Sequence, residues 1–293
     1  MIVSPEYVGR TCRPLEVRVT PRRAMNYAAA VEDDNPRYLD DTQPGALLAP
    51  PMLAVALTWP VSANFAEYWG DSGFPAEILS RQVHYSEHIT WARPLRAEEL
   101  LTVTGRVAAI LPHRAGTHLV IEYTAADGTG AAVFVERIGG LLRGVKCDGP
   151  GRGEEALRGG GDTPDDAPPL WEKTLSIPRL AAHWYDAGAD IHFPIHTSPA
   201  FARFVGLPGI LYQGTATLSR AVTALVNAEA GGDPARVREV SCLFTAMVFP
   251  GDDITLRLHA RQPADDGATR LAFTVENAEG KTALRAGSLL IGE

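Results

Sequence analysis

Asp190, His192 and His196 fall within seven residues of one another, and Gly214 follows 18 residues after the last of them. A carboxylate and an imidazole this close can exchange protons with one water molecule, which is acid–base chemistry. A glycine opening an apolar helix offers a backbone N–H that the helix itself does not use. The stretch that holds them, Ala187–Ala221, reads AGADIHFPIHTSPAFARFVGLPGILYQGTATLSRA. A structural reading stays open beside the chemical one: a histidine after Pro-Ile can satisfy a core turn, and Asp190 can cap a helix or sit solvated in a turn.

These residues need a scaffold that holds a loop against the start of a helix, and the chain carries the pattern for one twice. Residues 148–171, DGPGRGEEALRGGGDTPDDAPPLW, are rich in Gly, Pro and acid and have no apolar period, so they read as an exposed linker. On either side lie residues 1–147 and 172–293. Each part starts with an extended segment, Leu15–Thr20 and Thr174–Ile177. Pro21-Arg22 and Pro178-Arg179 follow, suited to the first turn of a helix. A longer apolar helix comes next, over Pro51–Phe65 and Thr215–Asn227. Alternating, β-branched segments close both parts: Gln82–Thr90, Leu100–Ile110, Thr117–Ala125 and Ala131–Leu142, then Glu239–Val248, Ile254–Ala260, Leu271–Glu276 and Thr282–Ile291. A long helix followed by an antiparallel meander, twice over, predicts an α+β tandem (double) hotdog fold, each half a long helix wrapped by a curved antiparallel sheet.

Composition narrows the function classes. The chain has 293 residues, 45% of them hydrophobic, which is enough for two such halves. A net charge of −8 argues against non-specific nucleic-acid binding, which needs clustered Lys and Arg. Cys12, Cys147 and Cys242 are scattered, with no CxxC or Cys/His cluster, so free thiols in a reducing compartment are expected and no metal site. No apolar run approaches the roughly 20 residues of a membrane span, and the first residues hold no apolar leader; a soluble, cytoplasmic protein is expected.

In their order, these features resemble the MaoC-like, or type-2 (R-specific), enoyl-CoA hydratase family. There a Gly-Asp-x-Asn-Pro-(Ile/Leu)-His loop precedes a small-residue helix, a Gly-rich turn and a glycine opening the central helix. Pro194-Ile195-His196, Ala200-Phe201-Ala202, Gly206-Leu207-Pro208 and Gly214 match it. Tyr27–Asp41 is a faded copy, with Asp33, Asn35 and Pro36 at the family spacing and Tyr38 where the histidine belongs. Alignment of the copies sets Pro51 opposite Gly214, and proline has no N–H to donate. Trp91–Leu95 with Leu100–Val103, and Phe249–Asp252, extend the match into the strands. The chain departs from the family at three points. Asp190 lies six residues before His196 rather than five, Phe193 stands for the usual asparagine, and Gln213 replaces a frequent histidine.

The resemblance implies reversible hydration of a 2-enoyl thioester to an (R)-3-hydroxyacyl thioester, carried on CoA or an acyl carrier protein, with room for a bulky or polyketide-like acyl group. His196 would be the acid/base on the water, Asp190 would orient that water, and the Gly214 N–H would polarise the thioester. Gln213, His192, Phe193 and Tyr38 would line the substrate site, and His192 is an alternative to Asp190 as the partner of His196. The N-terminal half would accommodate the acyl chain. No cofactor is implied beyond the CoA or phosphopantetheine of the substrate, and a homodimer is compatible with free sheet edges. Two rivals share the fold: a hotdog thioesterase, and a repurposed pocket that binds or cyclises a biosynthetic intermediate.

Other chemistry-bearing residues receive structural readings. His84 and His88, four apart on an expected strand, would face one side, a weak hint of metal. Arg93 and Arg96 could meet carrier phosphates but read as ordinary charges at the start of a strand. Asp33 or Asp34 would cap a helix, with Tyr38 packed and its hydroxyl bonded.

Overall fold

The computed structural model describes residues 1–43, 45–154 and 168–293. The helices form where the sequence supplies starts. α1 (Pro21–Ala30) opens on proline, and the Thr20 hydroxyl accepts the Arg23 N–H at 3.1 Å. α2 (Pro36–Leu39) is capped by Asn35 rather than by Asp33 or Asp34. The apolar helix expected over 51–65 is instead a 3-10 turn at Pro51–Leu53, then α3 (Ala54–Ala63) and α4 (Phe65–Trp69). Pro60 lies inside α3 and has no N–H to donate back to the Ala56 carbonyl, which accepts from Arg23 at 2.7 Å instead; α3 ends at Ala63, with Asn64 as its cap. The second half follows with α5 (Ala181–Ala189), α6 (Pro199–Phe204) and α7 (Gly214–Glu229). α7 contains no proline and runs unbroken.

The strands are β1 (Ile2–Val3), β2 (Leu15–Arg18), β3 (Gln82–Trp91), β4 (Leu100–His113), β5 (Gly116–Ala126), β6 (Ala132–Arg143) and β7 (Lys146–Cys147) in the first half. The second half has β8 (Trp171–Ser176), β9 (Val237–Phe244), β10 (Asp253–Pro263), β11 (Thr269–Glu276) and β12 (Thr282–Ile291). Ten of these strands form one sheet in the order β2-β4-β5-β6-β3-β9-β12-β11-β10-β8. Each half contributes five neighbouring strands behind its own long helix, as the repeat predicts. The halves meet where β3 pairs antiparallel with β9, from Ser86 opposite Leu243 to Thr90 opposite Glu239. That pairing removes the inner edge of each half-sheet and leaves β2 and β8 at the rims.

Two strand expectations are corrected. β9 stops at Phe244 rather than Val248, because the Val248 carbonyl leaves the sheet to accept the Tyr212 N–H, at 2.9 Å, just ahead of α7. His84 and His88 do not share a face. The register shifts between His84 and Ser86, and a bulge of this kind changes which residues point inward. His84 then meets Glu87, while His88, the next residue on the opposite side of the pleat, meets Arg137 and Glu239.

The faded motif of the first half now binds the two halves together. The Thr223 hydroxyl donates to Oδ2 of Asp33 at 2.8 Å, and Asn35 Nδ2 donates to the Gly232 carbonyl at 2.7 Å. Tyr38 is 2% exposed in an apolar cluster with Ala28, Leu48 and Ala235. Nearby, α1 packs on α5, with the Tyr27 and Tyr185 rings edge to face at 5.6 Å. Of the expected linker, residues 155–167 lie outside the described residues. Its start is fastened to β4, where Arg152 and Ile110 exchange backbone hydrogen bonds at 2.9 and 3.0 Å.

Candidate active site

The site is built by stitching one loop to the start of α7. Pro194 opens a single 3-10 turn, Pro194–His196, that follows the C-terminus of α5. The Leu211 N–H donates to the Ile195 carbonyl at 3.2 Å, and Nδ1 of His196 donates to the Leu211 carbonyl at 2.9 Å. Because a carbonyl only accepts, this bond places the ring proton on Nδ1 and leaves Nε2 with a free lone pair. Burial pushes the His196 pKa below the usual imidazole value, against the opposing pull of the Leu211 bond. His196 is therefore a neutral base at neutral pH.

Three residues beyond Leu211, Gly214 occupies the first position of α7, where N–H groups have no intrahelical acceptor and the helix dipole favours negative charge. A Cβ at Gly214 would stand 2.9 Å from Cδ1 of Phe244, so the close seat of that ring requires glycine. Gln213, 2% exposed, donates from Nε2 to the Ala182 carbonyl at 3.0 Å. Its Oε1 is buried without a donor, an open acceptor in the wall beside Gly214. The α7 start is braced from behind: Tyr185 donates to Thr215 Oγ1 at 3.0 Å. Ser219 donates to the Thr215 carbonyl at 2.7 Å, so the Tyr27 hydroxyl, 2.8 Å from Ser219, is the donor in that pair.

The structure places the other expected residues less uniformly. Asp190 ends α5 in a left-handed conformation (φ 57°), with its side chain 69% exposed. Its Oδ1 is 2.6 Å from Nε2 of His192, whose Nδ1 is 2.8 Å from Oδ2 of Asp186. Hydrogen bonding to Asp186, helped by Asp190, raises the His192 pKa. The charge of Asp186, rather than that of Asp190, acts on His196. The Asp190 charge acts on Arg23 of α1, whose guanidinium donates to the Ala56 carbonyl at 2.7 Å. Phe193, 47% exposed, has its ring centre 6.4 Å from that of His196. Tyr38 lies in the cluster between the halves rather than among these groups. Arg93 is committed to Glu99 and Asp127, at 2.6 and 3.2 Å.

Asp186, Phe244, Tyr185 and Glu87 were not singled out from sequence. Asp186 had a signal, standing one helical turn before Asp190. Tyr185 stands beside it on α5, while Phe244 and Glu87 come from strands far away in the chain. The second pseudo-site is closed. Pro51, at the position matching Gly214, lines a hollow of about 10 Å³ with Leu48, Trp91, Leu95 and Val237 among its walls, room for no more than one water.

The architecture, a helix cradled by half of a continuous antiparallel sheet and repeated once, is the double hotdog fold. The chain carries a MaoC-like dehydratase domain and a FAS1-like dehydratase region: residues 165–280 match "MaoC like domain", and residues 6–135 match "FAS1-like, dehydratase domain region". Over 269 residues it is 26% identical to "3-hydroxyacyl-thioester dehydratase Y" of Mycobacterium tuberculosis, covering 90% of this chain and 89% of that one. Over 88 residues, 29% of this chain, it is 42% identical to "Fatty acid synthase subunit beta" of Aspergillus oryzae, of whose length it spans 4%. A MaoC-like dehydratase from Phytophthora capsici superposes with a TM-score of 0.84 at 20% identity, covering 99% of each chain.

Proposed function

We propose that the protein is a hydro-lyase that adds water to, or removes it from, an acyl thioester, interconverting a 2-enoyl and an (R)-3-hydroxyacyl group. The carrying observation is the Nδ1–H bond from His196 to Leu211, which presents a neutral Nε2 base beside the loop that leads to Gly214. In hydration, Nε2 takes a proton from water as its oxygen bonds to Cβ. The C=C electron pair moves toward the thioester oxygen, where the Gly214 N–H and the α7 dipole stabilise the enolate. The proton then passes to Cα, and the reverse sequence expels water. Asp190 orients the water, and the His192 clasp with Asp186 fixes the loop that carries it. The open Oε1 of Gln213 supplies a further acceptor for the water.

The substrate rides on CoA or an acyl carrier protein, its acyl chain directed into the N-terminal half, whose own motif binds the halves together instead of reacting. No metal or organic cofactor enters this scheme. No helix among the described residues is long and apolar enough to cross a membrane, and a cytoplasmic location, with pairing of two chains through β2 or β8, completes the reading. The test is optical: a hydratase consumes the ultraviolet absorbance of a conjugated enoyl thioester without releasing thiol. Thiol release would instead identify a thioesterase, and neither change would leave a binding pocket.

A further inference from the structure

The helix-facing side of the sheet holds two carboxyl groups that the chemistry above does not use. Glu87 of β3 lies opposite Ile138 of β6, and Ile89 lies opposite Glu136, so the two acids are diagonal neighbours on one face. Each is 1% exposed. Thr58 of α3 supports Glu136, and Cys242 of β9 is the residue opposite Glu87. The β3 bulge turns His84 onto the same face, with Nε2 3.3 Å from Oε2 of Glu87. Beyond that imidazole, each other and the neighbouring His88 backbone N–H, both oxygens of Glu87 and Oε2 of Glu136 have no hydrogen-bond partner. Burial raises the pKa of both acids, that of Glu87 to about 8, so the pair keeps a proton at neutral pH. Burial likewise lowers His84 to about 4 and leaves it neutral.

One contact places this cluster beside the reaction centre. The His84 ring centre is 4.4 Å from that of Phe244, the ring seated against Gly214. From there Glu87, Glu136 and then Tyr123, opposite Glu136 on β5, lead away along the inner face of the N-terminal half. Unpartnered buried oxygens cost free energy unless something supplies a hydrogen bond. A plain alkyl chain cannot supply one. A hydroxyl or keto oxygen can, since a protonated acid donates and its neighbour accepts.

We propose that Glu87 and Glu136, with His84, form a subsite for an oxygen carried on the acyl chain beyond C3, so that the substrate class is a hydroxy- or oxo-acyl thioester. This rests on the hydro-lyase reading for the direction of the chain, but it is tested without turnover. Calorimetric titration would compare octanoyl-CoA with its 5-, 6- and 7-hydroxy isomers, on wild type and Glu87→Leu. The expected result is that one isomer binds wild type about tenfold tighter than octanoyl-CoA, the worth of one buried hydrogen bond, and that Glu87→Leu abolishes the preference. Equal or tighter binding of octanoyl-CoA than of every isomer overturns the proposal, as does a preference that survives Glu87→Leu. If Glu87→Leu does not fold, Glu136→Leu takes its place, and a preference that survives it overturns the proposal. A preference found in a protein that fails to hydrate any enoyl thioester supports the subsite and removes only the hydro-lyase reading.

Discussion

Oδ1 of Asp190 and Nε2 of His192 are 2.6 Å apart, and the same imidazole reaches Asp186 at 2.8 Å on its other nitrogen. The loop holds one residue more than the family spacing between Asp190 and His196, and His192 uses that extra length to clasp two carboxylates. The groups are largely exposed, so the clasp acts on loop position more than on global stability. Asp190→Asn is expected to lower kcat by roughly 10²-fold, the lower end for acid–base groups. His192→Ala should act through the same loop, so the double variant should be little worse than Asp190→Asn alone. Melting temperatures should stay within a degree or two. Multiplying effects in kcat would show that the two residues work independently.

Gly214→Ala tests the start of α7. The added Cβ would stand 2.9 Å from the Phe244 ring, so either the ring or the helix start must shift. A loss of roughly 10²–10³-fold in kcat is expected, the scale of an oxyanion donor moved out of line. Phe244→Leu in the Gly214→Ala background should recover part of it. No recovery would mean that the glycine is required for a reason other than that contact.

How much of this was legible follows from where the information lies along the chain. The duplication, the eight closing strands and the local motif around His196 are near-neighbour patterns, and they survive into the structure. The end of α3 at Ala63 was not legible, because the apolar run around it favours a single helix until packing decides. The bulge at His84 cannot be read from alternation, because it depends on the β6 partner strand. Glu87 reads as an ordinary polar strand residue until β6, β9 and α3 enclose it. The use of Asp33 and Asn35 to bind Thr223 and Gly232 needs both halves docked, which no segment of sequence contains.

The hydroxyls behind α7 give a stability prediction. Tyr27→Phe leaves Ser219 without the donor now 2.8 Å away. A cost of about 1 kcal/mol is expected, a fall of roughly 2 °C for a chain of this size, read by thermal unfolding. An unchanged melting temperature would mean that the hydroxyl is dispensable.

The buried acids predict the pH profile of stability. Glu87 titrates near 8 when folded, against an ordinary value of 4.5, so between these values the native state holds more protons than the unfolded one. Stability must then fall as pH rises through that window. His84 and His118, both lowered to about 4 by burial, act oppositely, raising stability as pH climbs from about 4 to 6.5. Above 6.5 their effect is complete and that of the acids remains. The melting temperature should decline from pH 6.5 to 8.5, and Glu87→Leu should flatten the decline. A rise over that range would contradict the burial of a protonated pair.

The central claim is that His196 is the neutral base of a hydro-lyase. The measurement is hydration of crotonyl-CoA and longer 2-enoyl-CoAs, followed by loss of enoyl absorbance, for wild type and His196→Ala across pH. The account predicts wild-type activity whose acid limb falls below the usual imidazole pKa of about 6.5, and a loss of roughly 10²–10⁴-fold in His196→Ala. A folded His196→Ala protein that hydrates these substrates at the wild-type rate would contradict it.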